Sequence, residues 1–110
     1  MVIIGRDKSI SIIRGDTVAL SFKTTNYDLE QGDTVTFTVA RNYDDEEPII
    51  SKIVSEINEK HEALISLSPT ETEIPVGIYV YDIQVDLSDG RRETVISSRL
   101  IVKGEVTRNG

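Results

Sequence analysis

Catalysis needs side chains that exchange protons, attack electrophiles or hold metals, and this 110-residue chain offers few of them. It has no cysteine, so it has no thiolate nucleophile, no thiolate metal ligand and no disulfide staple. Its single histidine, His61, stands between Lys60 and Glu62. No second histidine completes a metal site with it, and no serine sits in a sharp glycine-flanked elbow for it to activate. His61 therefore reads as a surface residue. Carboxylates are plentiful, at 19 Asp and Glu, but no spacing pairs two of them as general acid and base. Their one dense run is Asp44-Asp45-Glu46-Glu47. Hard cations such as calcium want several carboxylate oxygens converging on one point, which makes these four residues a weak metal candidate. The run lacks the alternating ligand spacing and internal glycine of calcium loops, so a solvated loop is the expectation. Arg14-Gly15-Asp16 spells the tripeptide read by integrins, yet Gly15 and Asp16 have an adequate role in a turn between two strands. The residues point away from an enzyme, and no cofactor is expected.

The net charge of -7 repels phosphate backbones and anionic headgroups, so neither nucleic acid nor a membrane surface is an expected partner. The opening Met1-Val2-Ile3-Ile4 is too short for a secretory apolar region and is followed by Arg6 and Asp7. No stretch approaches the roughly 20 apolar residues that cross a bilayer. The reading is a chain without a signal peptide: kept in the cytoplasm, exported by a route that needs none, or cut from a longer protein.

The elements that must carry any function are strands. Apolar and polar residues alternate along most of the chain, and no window repeats apolar residues at helical spacing for three turns. Strands are expected over 9–13, 17–23, 33–41, 49–56, 61–68, 79–87 and 93–103. Val35, Phe37 and Val39 alternate with Thr34, Thr36 and Thr38 in the cleanest of them. Ile49 or Ile50 competes with Ile53 to set the register of the fourth. In the sixth, Tyr79, Tyr81, Ile83, Val85 and Leu87 share one face and Asp82, Gln84 and Asp86 the other. Asp89-Gly90 predicts a tight hairpin with positive φ at both central residues. Its returning strand would put Thr94, Ile96, Ser98, Leu100 and Val102 inward, leaving Val95 and Ile101 on the outer face as the candidate interface. Ser68 as N-cap, Pro69 as first helical residue and acids behind it predict one helical turn over 69–73. Residues 1–8 read as an N-terminal arm, 9–104 as the β domain, and 105–110 as a flexible tail or linker.

About seven short antiparallel strands, with turns every 8 to 12 residues, is the pattern of an all-β sandwich or barrel. Tyr79 follows a Pro-x-Gly lead at the start of a long late strand, where sandwich domains set a tyrosine corner whose hydroxyl bonds back to nearby backbone.

Gly15-Asp16-Thr17 opens a strand, Ser68-Pro69 to Ile74 makes a short crossing, and Pro75-Val76-Gly77-Ile78-Tyr79-Val80-Tyr81-Asp82 leads to the Asp-Gly hairpin and a closing Arg99 to Arg108. Taken in order, these phrases resemble a family of small immunoglobulin-like proteins of phages and prophages of Gram-positive bacteria, akin to the N-terminal domains of upper-baseplate proteins. The resemblance implies an immunoglobulin-like β-sandwich that is a non-enzymatic virion component. Its place would be a phage tail, or the cytoplasm of the producing bacterium, and its partners itself as a homo-oligomer or other tail and baseplate proteins. The alternative is a carbohydrate-binding or adhesin-type immunoglobulin-like module of a bacterial surface protein.

Overall fold

The computed structural model describes residues 2–4, 7–45 and 47–104. Glu46, the 105–110 tail and parts of the N-terminal arm lie outside them. Eight strands form in chain order: β1 (Val2–Ile4), β2 (Ile10–Ile13), β3 (Val18–Phe22), β4 (Thr34–Ala40), β5 (Ile50–Val54), β6 (Ala63–Leu67), β7 (Gly77–Asp86) and β8 (Arg92–Lys103). They make a six-stranded sheet in the order β1-β2-β8-β7-β4-β5 and a two-stranded sheet of β3 and β6. Branched aliphatics and aromatics facing inward from both sheets build one interior, with Phe37, Tyr79, Ile65, Leu67 and Leu100 fully buried in it. With β8, β7, β4 and β5 adjacent in one sheet and β3 paired to β6 in the other, the strand layout is that of an immunoglobulin-like β-sandwich.

Two features depart from seven antiparallel strands. An eighth strand, β1, lies within the stretch read as an arm and pairs antiparallel with β2. The second departure is that β2 runs parallel to β8, Ile10 opposite Leu100 and Ile12 opposite Val102, so the second strand docks on the last. A parallel neighbour cannot be reached through a hairpin, and here nearly the whole chain serves as the connection.

The 69–73 segment forms a hydrogen-bonded turn and not a helix. The Thr72 amide donates to the Ser68 carbonyl at 3.1 Å and the Glu73 amide to the Thr70 carbonyl at 3.3 Å. Its start is a reciprocal cap in which the Glu71 amide donates to Ser68 Oγ (3.2 Å) and the Ser68 amide to Glu71 Oε1 (2.9 Å). Lys52 reaches across from β5 to both oxygens of the same carboxylate at 3.0 and 3.2 Å. The Ser68 amide foremost, and then the Lys52 ammonium, hold the Glu71 carboxyl below its ordinary 4.5. A carboxylate more acidic in the folded chain than in the unfolded one stabilises the fold above its unfolded pKa and ceases to do so as pH falls through the folded value. Thermal melts from pH 6 to pH 2.5 are therefore expected to show wild type losing stability below about pH 4.5. Glu71→Gln should start less stable and lose less over that interval; an identical acid dependence in both would contradict the cap.

Candidate functional site

Outward positions of the six-stranded sheet change character along its length. Toward the hairpin end the outward positions of β7 and their β8 partners are polar: Asp86 lies opposite Arg92 and accepts from its Nε at 2.6 Å, and Gln84 lies opposite Thr94. In the middle, Asp82 faces Ser97 on one side and Thr38 on the other. At the far end the row turns apolar. Ile78 lies directly opposite Ile101, Val80 opposite Arg99 and Ala40, and Val76 precedes the strand. Ile78 is 65% exposed and Val76 60%, while Ile101 is half-buried between its neighbours. Ser11 on β2 continues the row past Ile101. The result is an apolar end to the β7–β8 part of the face; Ile53 of β5, opposite Thr36, is a separate exposed isoleucine on the same face.

This arrangement separates the two residues singled out from sequence. Ile101 belongs to the apolar end. Val95 lies at the other, hairpin end of β8, 40% exposed, where the register slips between Ile83 and Gln84: Ile83 pairs with Ile96 and Gln84 with Thr94, leaving Val95 as the extra residue of a bulge. The slip also turns Thr94 outward and puts Glu93 opposite the buried Val85, correcting the inward assignment of Thr94. Ile78 was not among the sequence-derived interface residues, although the signal was present. In the outward row of β7, polar Asp82, Gln84 and Asp86 are preceded by Val80 and Ile78.

Tyr79 is buried, and its hydroxyl donates to the Pro75 carbonyl at 2.5 Å, a corner that ties the strand start to the loop before it. The Arg41 guanidinium lies over its ring, 5.4 Å from the centroid. Tyr79→Phe is expected to cost about 1 kcal/mol, the net worth of one buried hydrogen bond, while leaving the sheet face intact. Urea unfolding with an unchanged midpoint would count against the corner. Next along the inward row, Tyr81 donates to the Lys8 carbonyl, and its phenol is pushed up to about 12 by burial and by the nearby Asp7 charge. Asp7 accepts from the Ser9 amide (3.0 Å) and pairs with Arg99 (3.2 Å). Those Ser9 hydrogen bonds, with Arg99 behind them, hold its carboxyl at about 2.

The remaining candidates are occupied by the fold. Arg14 Nε donates to the Ile74 carbonyl at 3.1 Å, Gly15 takes φ 83° in the turn, and Thr72 Oγ1 donates to the Asp16 carbonyl at 2.7 Å. The tripeptide thus forms a hydrogen-bonded turn in which Arg14 is exposed and Gly15 and Asp16 are half-buried. In the acidic loop, Asp45 accepts from the Asn42 amide at 3.0 Å, closing a turn, and Asp44 and Glu47 are exposed beside it. His61 is partly exposed, not free on the surface, with Nδ1 3.0 Å from the Leu29 carbonyl and its ring nitrogens 3.8 Å from the Asp28 and Glu30 carboxylates. Among the described residues no cluster of His, Cys, Asp and Glu is arranged to hold a metal, and no helix is long and apolar enough to cross a membrane.

No family model and no curated protein matches this sequence. Among solved structures, the chain is similar to part of a putative glycoside hydrolase from Bacteroides vulgatus, at 16% identity and a TM-score of 0.48. That match takes in 86% of this chain and 17% of the other, so the chain spans a small part of that protein's length. It is also similar to the extracellular domain of the voltage-gated sodium channel β4 subunit, whose parallel homodimers are linked to cell–cell adhesion, at 16% identity and a TM-score of 0.40 over 94% of this chain and 95% of that one. Sandwich domains share this strand layout without sequence similarity, and layout alone assigns no function.

Proposed function

We propose that this chain is a non-enzymatic assembly module whose apolar sheet end, around Ile78 and Ile101, seats against another copy of itself. The observation that carries the reading is the direct pairing of a strongly exposed isoleucine with a second isoleucine where β7 begins and β8 ends. Exposed apolar surface of this kind is removed from water when two flat faces meet, each buried square ångström contributing about 25 cal/mol. The ordered phrases from Gly15 to Arg108 support placing the module in a phage or prophage tail or baseplate, and a patch that meets its own copy is the self-complementary contact of a symmetric oligomer. The carbohydrate-binding alternative requires an aromatic platform. Among the described residues Tyr43 is the one strongly exposed aromatic, at 62%, and its hydroxyl is bonded to the Ser98 carbonyl.

Sedimentation velocity over a concentration series tests the contact. Wild type should shift from one chain to an oligomer as concentration rises, and Ile78→Lys should stay monomeric with an unchanged melting curve. Purified particles from a producing strain should contain the chain. A wild type that stays monomeric throughout and is absent from particles would overturn the proposal.

A further inference from the structure

The two-stranded sheet leaves one side of β3 without a neighbour: among the described residues β3 pairs with β6 and with no other strand. A cleft of about 240 Å³ lies along that strand, and Leu20, Ser21, Phe22 and Lys23 all line it. Leu20 and Phe22 point into the sandwich while Ser21 and Lys23 point out of it, so the cleft borders the backbone edge of the strand and not one of its faces. Its floor is the inner side of the six-stranded sheet at Ile83 and Ile96, and Lys8 flanks it from the start of β2. The interior opens to water along this stretch, Leu20 keeping 8% of its surface exposed where Val18, at the other end of the strand, keeps 1%. Open edges are ordinarily guarded by charge, proline, a bulge or a covering loop. β3 reads Val18-Ala19-Leu20-Ser21-Phe22, without charge or proline, and its register with β6 is unbroken over all five residues. Lys23 follows the strand and Lys8 stands across the cleft; both are exposed, and neither ammonium is paired with a carboxylate among the described residues.

We infer that this edge accepts an extended segment of a second protein, one that alternates apolar and acidic residues and adds to β3 as a third strand. The inference rests on reading the chain as a protein-contact module. The edge supplies main-chain hydrogen bonds, every second side chain of the incoming strand points into the cleft over Ile83 and Ile96, and those between point outward beside Ser21 and Lys23. Lys8 and Lys23 attract carboxylates there and repel a basic strand. None of the outer strands of this chain has that pattern: β1 and β6 carry no charge, and the one charge of β5 is Lys52. A second copy is therefore not the occupant. The net charge of -7 opposes an acidic partner at long range, but at about 0.15 M salt charges more than about 8 Å away are largely screened, and the two lysines at the cleft set the preference. The edge of β3 is about 17 Å long at roughly 3.4 Å per residue, so a short segment covers it.

The probe is a fluorescent eight-residue peptide alternating Val and Glu, with a counterpart carrying Lys for Glu, read by anisotropy on the full chain at about 0.15 M salt. The Glu peptide should bind at least tenfold more tightly than the Lys peptide and should slow amide exchange within 18–23. The same Glu peptide N-methylated along its backbone, which cannot pair with a strand edge, should not bind. Lys8→Glu with Lys23→Glu, two exposed positions that leave the interior untouched, should invert the preference, and Ile78→Lys should leave binding unchanged. No binding, equal or stronger binding of the Lys peptide, or full affinity of the N-methylated peptide would overturn the inference. Protection of 18–23 that rises with protein concentration alone would give the edge to a second copy and overturn it as well. Self-association through Ile78 without peptide binding would defeat this inference and leave the proposed function standing; peptide binding by a chain that never self-associates would do the reverse.

Discussion

Phe37→Ala should lower the unfolding free energy by about 4 kcal/mol, the usual range for emptying a fully buried aromatic site being about 3–5 kcal/mol. Phe37 sits in the middle of β4, between β5 and β7, fully buried, with its ring centroid 5.6 Å from that of Tyr81 at a 38° tilt. Deleting it removes the transfer energy of the ring and opens a void where inward rows from both sheets meet. A domain of this size has about 5–15 kcal/mol to lose, so the variant should sit near the edge of folding. Its melting temperature should fall by roughly 20 °C, at a few degrees for each kcal/mol. Phe37→Leu, which keeps most of the volume, should fall much less. Equal losses for the two would mean that the ring does not fill the centre of the interior.

The second large effect is expected at Asp33. Its carboxylate is buried and accepts two backbone hydrogen bonds, from the Glu30 amide to Oδ2 and from the Ser88 amide to Oδ1, both 2.9 Å. It thereby joins the loop before β4 to the hairpin after β7, elements far apart in sequence. Asp33→Ala leaves two N–H groups facing a site without an acceptor, and we expect a loss of about 3 kcal/mol. Asp33→Asn keeps one acceptor and places a donor against the other amide, so it should recover only part of that. A denaturant midpoint for Asp33→Ala within experimental error of wild type would show that water replaces the carboxylate.

Asp33 also shows where sequence reading ends. The phrase Gly-Asp-Thr-Val occurs twice, at Gly15 and at Gly32, and each glycine takes positive φ, 83° and 104°. Local chemistry is the same in both. Asp16 stays half-exposed while Asp33 is buried, because only Asp33 has the Ser88 loop folded over it, and that neighbour is not visible from local pattern. Strand β4 was legible because a single rule, alternation, decides every position in it. The register of β5 was not: Ile50 is buried opposite Val39 while Ile49 and Ile53 are exposed, a choice made by the partner strand.

The hairpin was half legible. Gly90 takes positive φ (98°) but Asp89 does not, since Leu87 and Arg91 close the loop and three residues, 88–90, span it. A three-residue hairpin needs the left-handed conformation only at its last position. Bulge and parallel pairing were both illegible, because each depends on which strand lies alongside. Val95, the extra residue of that bulge, lies at the hairpin end of β8, and the neighbour directly opposite Ile101 is Ile78.

Methyl-detected NMR with a soluble paramagnetic agent, run on the full chain from dilute to concentrated solution, addresses the contact face directly. Ile78 and Ile101 methyls should become shielded as concentration rises, while Ile53, on the β5 edge and equally wet in one chain, stays accessible. Shielding that falls on Ile53 instead, or on no isoleucine at any concentration, would contradict an association through the β7–β8 face.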